Sequence, residues 1–204
     1  MLRLSATVML SSSYIRCMNR KGLTLKNTRI LTAKDIALIG LMVAVIEACK
    51  MALSALPNVE LTTFWIMMFT IFFGWKILFV VPVFLLIEGM IYGFGIWWAM
   101  YLYIWPLLAG ITWIIRKKDS VWIYSIVSAA FGLCFGFLCS ICYFVIGWVN
   151  GGIQSGLIMA FNWWIAGIPF DIIHCVANFI LMFVLYKPIR HLMLRVQKMG
   201  YIDT

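Results

Sequence analysis

The sequence predicts an all-α integral membrane protein, a six-transmembrane-helix bundle with both termini cytoplasmic. Three observations predict it. Of 204 residues, 65% are hydrophobic and 11% charged, against about 45–50% apolar and 25% charged in a soluble domain. The apolar residues fall into runs long enough to cross a hydrocarbon core, which takes about 20 helical residues. Lys and Arg recur only at alternate connections between those runs. A mean hydropathy of +1.03 excludes soluble enzymes, nucleic-acid binders and disulfide-stapled secreted modules. The net charge of +9 accordingly reads as cytoplasmic loop charge.

The first span is read from Ala33 to about Leu56. Thr32 and Asp35 form a capping-box start, and Pro57-Asn58 ends it. The second, Leu61 to Phe73, is short and closes at Gly74-Trp75-Lys76. The third runs from Ile77 to Tyr92, and Gly93-Phe94-Gly95 leads into the fourth, Ile96 to Ile115. Arg116-Lys117-Lys118-Asp119 is the only strongly charged internal loop. The fifth spans Val121 to Val149, and Asn150-Gly151-Gly152 makes a turn. The sixth, Ile153 to Tyr186, exceeds one straight crossing, so Gly167-Ile168-Pro169 is expected to kink or split it. With six crossings, the basic residues before span one, at Lys76, at 116–118 and in the tail share one side, and the Lys/Arg-free loops 57–60, 93–95 and 150–152 share the other. Seven crossings would put the basic tail outside. This organisation gives residues 1–31 as a cytoplasmic extension, 32–190 as the membrane domain and 191–204 as a basic tail. Residues 1–17 are too polar for a span and make a poor signal peptide; they read as a mobile extension, with Met18 the more natural start.

Ionisable groups at membrane depth cost about 2.5–3.5 kcal/mol each on insertion scales, so each requires a reason. Glu47 and Lys50, three apart, read either as a mutually neutralising pair or as a lysine that meets an anionic substrate; Glu88 reads as interfacial. Trp164, Gly167, Asp171, His174 and Asn178 recur on one face of the sixth helix, with Asp171 and His174 within hydrogen-bonding reach. His174 and Asn178 fit a buried polar seam, whereas Asn162 and Trp164 lie nearer the outside and are ligand candidates. Among ten Trp, eight Tyr and fifteen Phe, several Trp lie at span ends as belt residues. Trp98, Tyr101 and Trp105 instead share a face at the outer start of the fourth span and suit a flat heterocyclic ligand. With Asn58 and Glu60 after the first span, these residues and Asp171 make up the expected substrate site.

Gly40, Ala44, Ala48 and Ala52 stand at strict four-residue spacing on the first helix, a row that lets another helix approach closely in lipid. Gly132 and Gly136 form a shorter row, read as internal packing. Five of the six cysteines fall in apolar runs and read as packing residues; Cys139 and Cys142 lack the exposed second pair a thiol relay needs. Gly152-Ile153-Gln154-Ser155-Gly156 lacks the glycine two before the serine expected of an intramembrane serine protease. There is no Walker A motif, so the chain is not its own ATPase. No catalytic residue, cofactor or metal is expected.

Taken in order, Ala44, Ala48 and Ala52, the turn Leu56-Pro57-Asn58-Val59-Glu60-Leu61, and Ala166-Gly167-Ile168-Pro169-Phe170-Asp171-Ile172-Ile173-His174 running on to Asn178-Phe179 resemble the substrate-binding S component of an energy-coupling factor (ECF) vitamin transporter. The resemblance covers about 32 to 190. It implies a multi-pass protein of the plasma membrane, in a bacterial cell, that captures a vitamin-like micronutrient from outside. Its partners would be a transmembrane coupling subunit and two ATPase subunits, with no nucleic acid. It implies further that the alanine row packs on the coupling subunit and that the ligand cavity lies near the outer surface, under the loop after helix one. Two rival readings are an intramembrane enzyme using Asp171 and His174, for instance on a lipid-linked substrate, and a non-catalytic assembly subunit. A polar groove reaching lipid would favour the enzyme, a closed outer cavity the binder, and no cavity the scaffold.

Overall fold

A computed structural model describes residues 31–56 and 58–198. The expectations for residues 1–30 and for the last six residues of the tail lie outside the described residues. From Asp35 onward the described residues belong to one compact unit, and Ala33–Lys34 begin its first helix.

The helices are α1 (Ala33–Ala52), α2 (Thr62–Phe73), α3 (Ile77–Tyr92), α4 (Ile96–Ile115), α5 (Val121–Leu133) and α6 (Phe135–Lys198), with a single 3₁₀ turn, Gly74–Lys76, between α2 and α3. Three stretches are long and apolar enough to cross a membrane: Thr62–Tyr92, Ile96–Ile115 and Val121–Lys198. α1 stops at Ala52 and not near Leu56: Leu53 N–H still closes the last helical bond to Cys49 O, and beyond it the bonds tighten to three-residue turns, Ser54 N–H to Met51 O and Leu56 N–H to Leu53 O.

Burial follows from the residue pattern. α1 buries Ile39, Met42, Val43, Ile46 and Glu47, the spacing of one helical face. α2 is apolar all round and buries ten of its twelve residues, as expected of the central helix of a bundle. Gly74, at φ 56°, breaks α2 from the 3₁₀ turn, a conformation that glycine adopts without steric cost.

The long α6 is a hairpin. A straight helix of its length would run about 96 Å, roughly three times the hydrocarbon core. Gly151 and Gly152 are the only non-helical residues inside it, Gly152 at φ 78° and ψ 179°, a region essentially restricted to glycine. The two arms, 135–150 and 153–198, return side by side. Tyr143 stacks on Trp163 at 3.9 Å, Gly136 N–H donates to Asp171 Oδ1 at 2.9 Å, and Gly147 backs directly onto Gly156. Further along, Trp122 meets Phe183 and Tyr124 stacks on Tyr186, both at 5.0 Å. Of the kink or split expected at Gly167-Ile168-Pro169, the split is not there: the backbone dihedrals stay helical through Pro169.

Cross-helix pairs fix the directions of the rest. Lys76 meets Asp35 at 2.8 Å, Tyr124 Oη donates to Lys118 O at 2.8 Å, Arg190 pairs with Asp119 at 2.6 Å, and Gln197 donates to Phe72 O at 3.3 Å, all toward one end. Trp65 donates to Cys49 Sγ, Lys50 pairs with Glu88, and Trp98 donates to Leu85 O toward the other. From α1 to α5 successive helices therefore run antiparallel and the first arm of α6 continues α5 through Cys134, with the charged connections gathered at one end and residues 53–56 and 58–61 at the opposite end.

Candidate functional site

The segment 53–61 caps a cavity of about 210 Å³. Its walls are Lys50 from the last turn of α1, Tyr101 from α4, and Phe135 and His174 from the two arms of α6; Ser54, Asn58 and Glu60 come from the cap. Asn58 takes a positive φ of 57° there, a conformation in which Asn is among the few tolerated side chains.

Lys50 carries the densest set of contacts. Its ammonium pairs with Glu88 on α3 and stands 5.5 Å from the Tyr92 and Tyr101 rings and 5.8 Å from Phe84. The expected Glu47–Lys50 pair is not formed, because Lys50 turns across to α3 where a carboxylate and three ring faces receive it. Glu88 is not interfacial either: it is 0% exposed. Glu47 stands beside Glu88, near enough for their charges to interact, but neither of its oxygens has an aligned hydrogen-bond donor.

On the cap, Glu60 accepts a hydrogen bond from Thr62 Oγ1 at 3.1 Å, and His174 Nε2 lies 3.4 Å from its other oxygen. That approach is within ion-pair range, yet too poorly aligned for a directional hydrogen bond. Burial, the largest influence, pushes the Glu60 carboxyl up. Its interaction with His174, the charge of Lys50 and the Thr62 hydroxyl together outweigh burial and hold it below the usual value of 4.5.

Tyr101 joins the cavity to an aromatic layer. It meets Trp105 edge-on at 5.3 Å, and Trp105 contacts Phe84, Phe131 and Phe135 at 5.8–6.4 Å. Trp105 is 0% exposed and its indole N–H has no partner; it backs the wall and does not line it. Trp98 shares their helical face, but its N–H is committed to Leu85 O at 2.7 Å and its ring packs on Phe94 at 5.1 Å.

The expected site is therefore brought together in part. Asn58, Glu60 and Tyr101 line one cavity, with Trp105 directly behind. Asn162 instead borders a separate shallow hollow with Gly151, Gln154 and Ser155, and Trp164 packs on Phe137 and Phe161 at 5.6 and 6.4 Å. Both lie on the hairpin arm towards Gly152, displaced along α6 from His174. Asp171 is buried as a helix cap. It takes the Gly136 N–H at the start of α6, one of the amides left without an intrahelical acceptor there. It does not hydrogen-bond His174. Asn178 forms the expected seam, donating to Ser128 O at 3.3 Å and Thr63 Oγ1 at 3.4 Å.

Lys50 and His174 line the cavity although the sequence ranked other readings beside them; Phe135 carried no signal beyond its hydrophobicity. Among the described residues, no three His, Cys, Asp or Glu side chains gather as a metal-binding group. The described cysteines are all free thiols.

The small-residue row sits on the outside. Gly40, Ala44, Ala48 and Ala52 are all exposed, and a methyl group added at Gly40 would meet no atom within 4 Å. α1 thus presents Glu47 and Lys50 to the interior and the row to the exterior. No family model, curated protein or solved structure matches the chain.

Proposed function

We propose that the chain is the substrate-binding S component of an energy-coupling factor transporter, which captures a vitamin-like micronutrient from outside a bacterial cell. In this reading it crosses the plasma membrane six times with both termini cytoplasmic. The basic end faces the cytoplasm and the capped cavity faces out, in keeping with the distribution of Lys and Arg. A transmembrane coupling subunit seats on α1, and two ATPase subunits supply the energy.

The reading is carried by the division of α1 into two faces. Its inner face ends in Lys50 at the cavity wall, and its outer face is a row of small residues left exposed among the described residues. A ligand-dependent shift of the last turn of α1 would be felt on both faces of one rigid element. Asp171, bound to a backbone amide and not to His174, gives the enzymatic alternative no aligned acid–base pair.

The test is purification from native membranes in mild detergent, followed by mass spectrometry of both co-purifying proteins and retained small molecules. The expected result is one coupling subunit, two ATPases and a compact bound metabolite. A preparation that holds neither an ATPase nor a small molecule overturns the proposal. Cysteines placed at Gly152 and Lys117 should label from opposite sides of the membrane; labelling from the same side rejects the six-crossing arrangement.

A further inference from the structure

The groups around the cavity are unbalanced in charge. Glu47, Glu60 and Glu88 lie on its wall or immediately behind it, and Lys50 is the one permanent cation among them. That cation is already committed to Glu88 and to the rings of Phe84, Tyr92 and Tyr101. What remains is an excess of acceptors. Glu47 and Glu88 are only 8% and 0% exposed, and apart from Lys50 on Glu88 their carboxyl groups have only each other as partners. Buried carboxylate oxygens are stabilised by a donor or a positive charge. An anionic ligand would add a further negative charge to this set, where low dielectric strengthens the repulsion.

Tyr101 and Phe135 supply ring faces at the cavity itself, the surfaces that attract cations through their quadrupoles. The volume of about 210 Å³ is below the roughly 300–1,000 Å³ of pockets for drug-sized ligands.

We infer that the cavity takes a compact cationic ligand, a small aromatic or heteroaromatic ring bearing an ammonium, an amidinium or a charged ring nitrogen. The ring stacks against Tyr101 and Phe135, and the cation faces Glu60, the one carboxylate among the lining residues. This rests on the reading of the cavity as the substrate site. It also reverses the reading of Lys50 as an anion receptor: the lysine neutralises one carboxylate of the cluster, Glu88.

The test uses three probes of nearly equal size and different charge, benzamidinium, benzamide and benzoate, with the full chain in a non-ionic detergent. Millimolar benzamidinium should raise the melting temperature, benzamide less, and benzoate not at all. Glu60→Gln, which keeps the shape of the side chain, should weaken benzamidinium roughly 10-fold or more and leave benzamide unchanged. Lys50→Met, which removes the competing cation, should leave benzamidinium binding equal or tighter. Preference for benzoate, equal binding of all three, or binding of none overturns the inference. So does loss of benzamidinium binding in a folded Lys50→Met protein. Co-purification with ATPases is scored on the same material. Cation-selective binding without the ATPases rejects the transporter and leaves the ligand class standing; ATPases without cation selectivity do the reverse.

Discussion

Two rows of small residues in this chain have opposite surroundings. On α1, Gly40, Ala44, Ala48 and Ala52 face away from the bundle, and the space beyond Gly40 is open. In α5 and the hairpin, Gly132, Gly136, Gly147 and Gly156 face inward. A methyl group on Gly147 would lie 2.8 Å from Gly156 Cα, and one on Gly132 would lie 2.9 Å from the His174 carbonyl. Small residues permit close backbone approach in either case. What differs is where the approaching backbone comes from. The turn at Gly151–Gly152 folds the chain's own second arm onto the hairpin row, whereas the α1 row stays exposed among the described residues. Spacing reveals that a close approach is possible; only the connectivity of the fold shows whether the chain itself makes it.

The largest expected effect lies in the hairpin. Gly147→Val places branched carbon against backbone atoms that have no rotamer to yield. Overpacking of this kind costs about 1–3 kcal/mol or more, so the purified protein should melt at clearly lower temperature or run as an aggregate on size exclusion. A Gly147→Val protein as stable as the parent would mean the arms are not in contact, and the contrast between the rows would disappear.

Ala48→Trp tests the other row. The indole projects into space that the chain leaves empty, so the isolated protein should keep its melting temperature and its ligand. Association with a coupling subunit should fall by about 100-fold or more, since a buried aromatic that does not fit costs an interface several kcal/mol. Pull-down and uptake report it. Loss of folding would show that the row packs internally. Unchanged assembly and uptake would remove the docking role.

The two rows also show what the sequence could reveal. Apolar runs and their glycine-rich or charged breaks placed the helices, because in lipid each backbone polar group must be satisfied within its own helix. The Gly151–Gly152 turn was legible for the same reason. Pro169 was misleading: proline at membrane depth is tolerated where neighbouring helices hold the backbone in place. Of the site residues, Asn58, Glu60 and Tyr101 were found through their depth and face. Asn162 was chosen on depth and Trp164 on depth and the face it shares with His174, and neither tells how far along a hairpin arm the cavity lies. Lys50 was visible as a charge in an apolar helix, but its partner is Glu88, thirty-eight residues away, and no local pattern carries a pairing at that separation.

The cap between the cavity and the outside gives a smaller effect. Glu60 ties it to His174 and Thr62, with Lys50 and Tyr101 as the other ionisable groups at the cavity wall. Its carboxyl is held below the usual value of 4.5. A carboxyl lowered in the folded state contributes stability that is fully present above its unfolded value and is lost as pH falls through the lower folded one. Melting temperature should therefore be flat with respect to this group from pH 7 to about pH 5, and its contribution should be lost progressively as pH falls below about 4.5. Glu60→Gln should lower stability at pH 7 by about 1–2 kcal/mol and flatten that acid limb. An unchanged acid limb in Glu60→Gln would show that the cap is not held by this carboxylate.

Gly40→Ala carries the smallest effect and the most informative sign. An alanine in a helix interior is about 0.5–1 kcal/mol more favourable than glycine, and the new methyl meets nothing within 4 Å. The isolated protein should become slightly more stable. Seating of a partner on the row should become slightly weaker, because one methyl holds two helices apart without blocking them; a change of a few-fold in pull-down affinity is expected. At Gly136 the same substitution would press a methyl against the Asp171 carboxylate that caps α6, so Gly136→Ala should destabilise. Opposite signs for one chemical change at two small-residue positions would separate a surface awaiting a partner from a surface that already has one. If Gly40→Ala also destabilises the isolated chain, α1 is packed against something within it, and the docking face must be sought elsewhere.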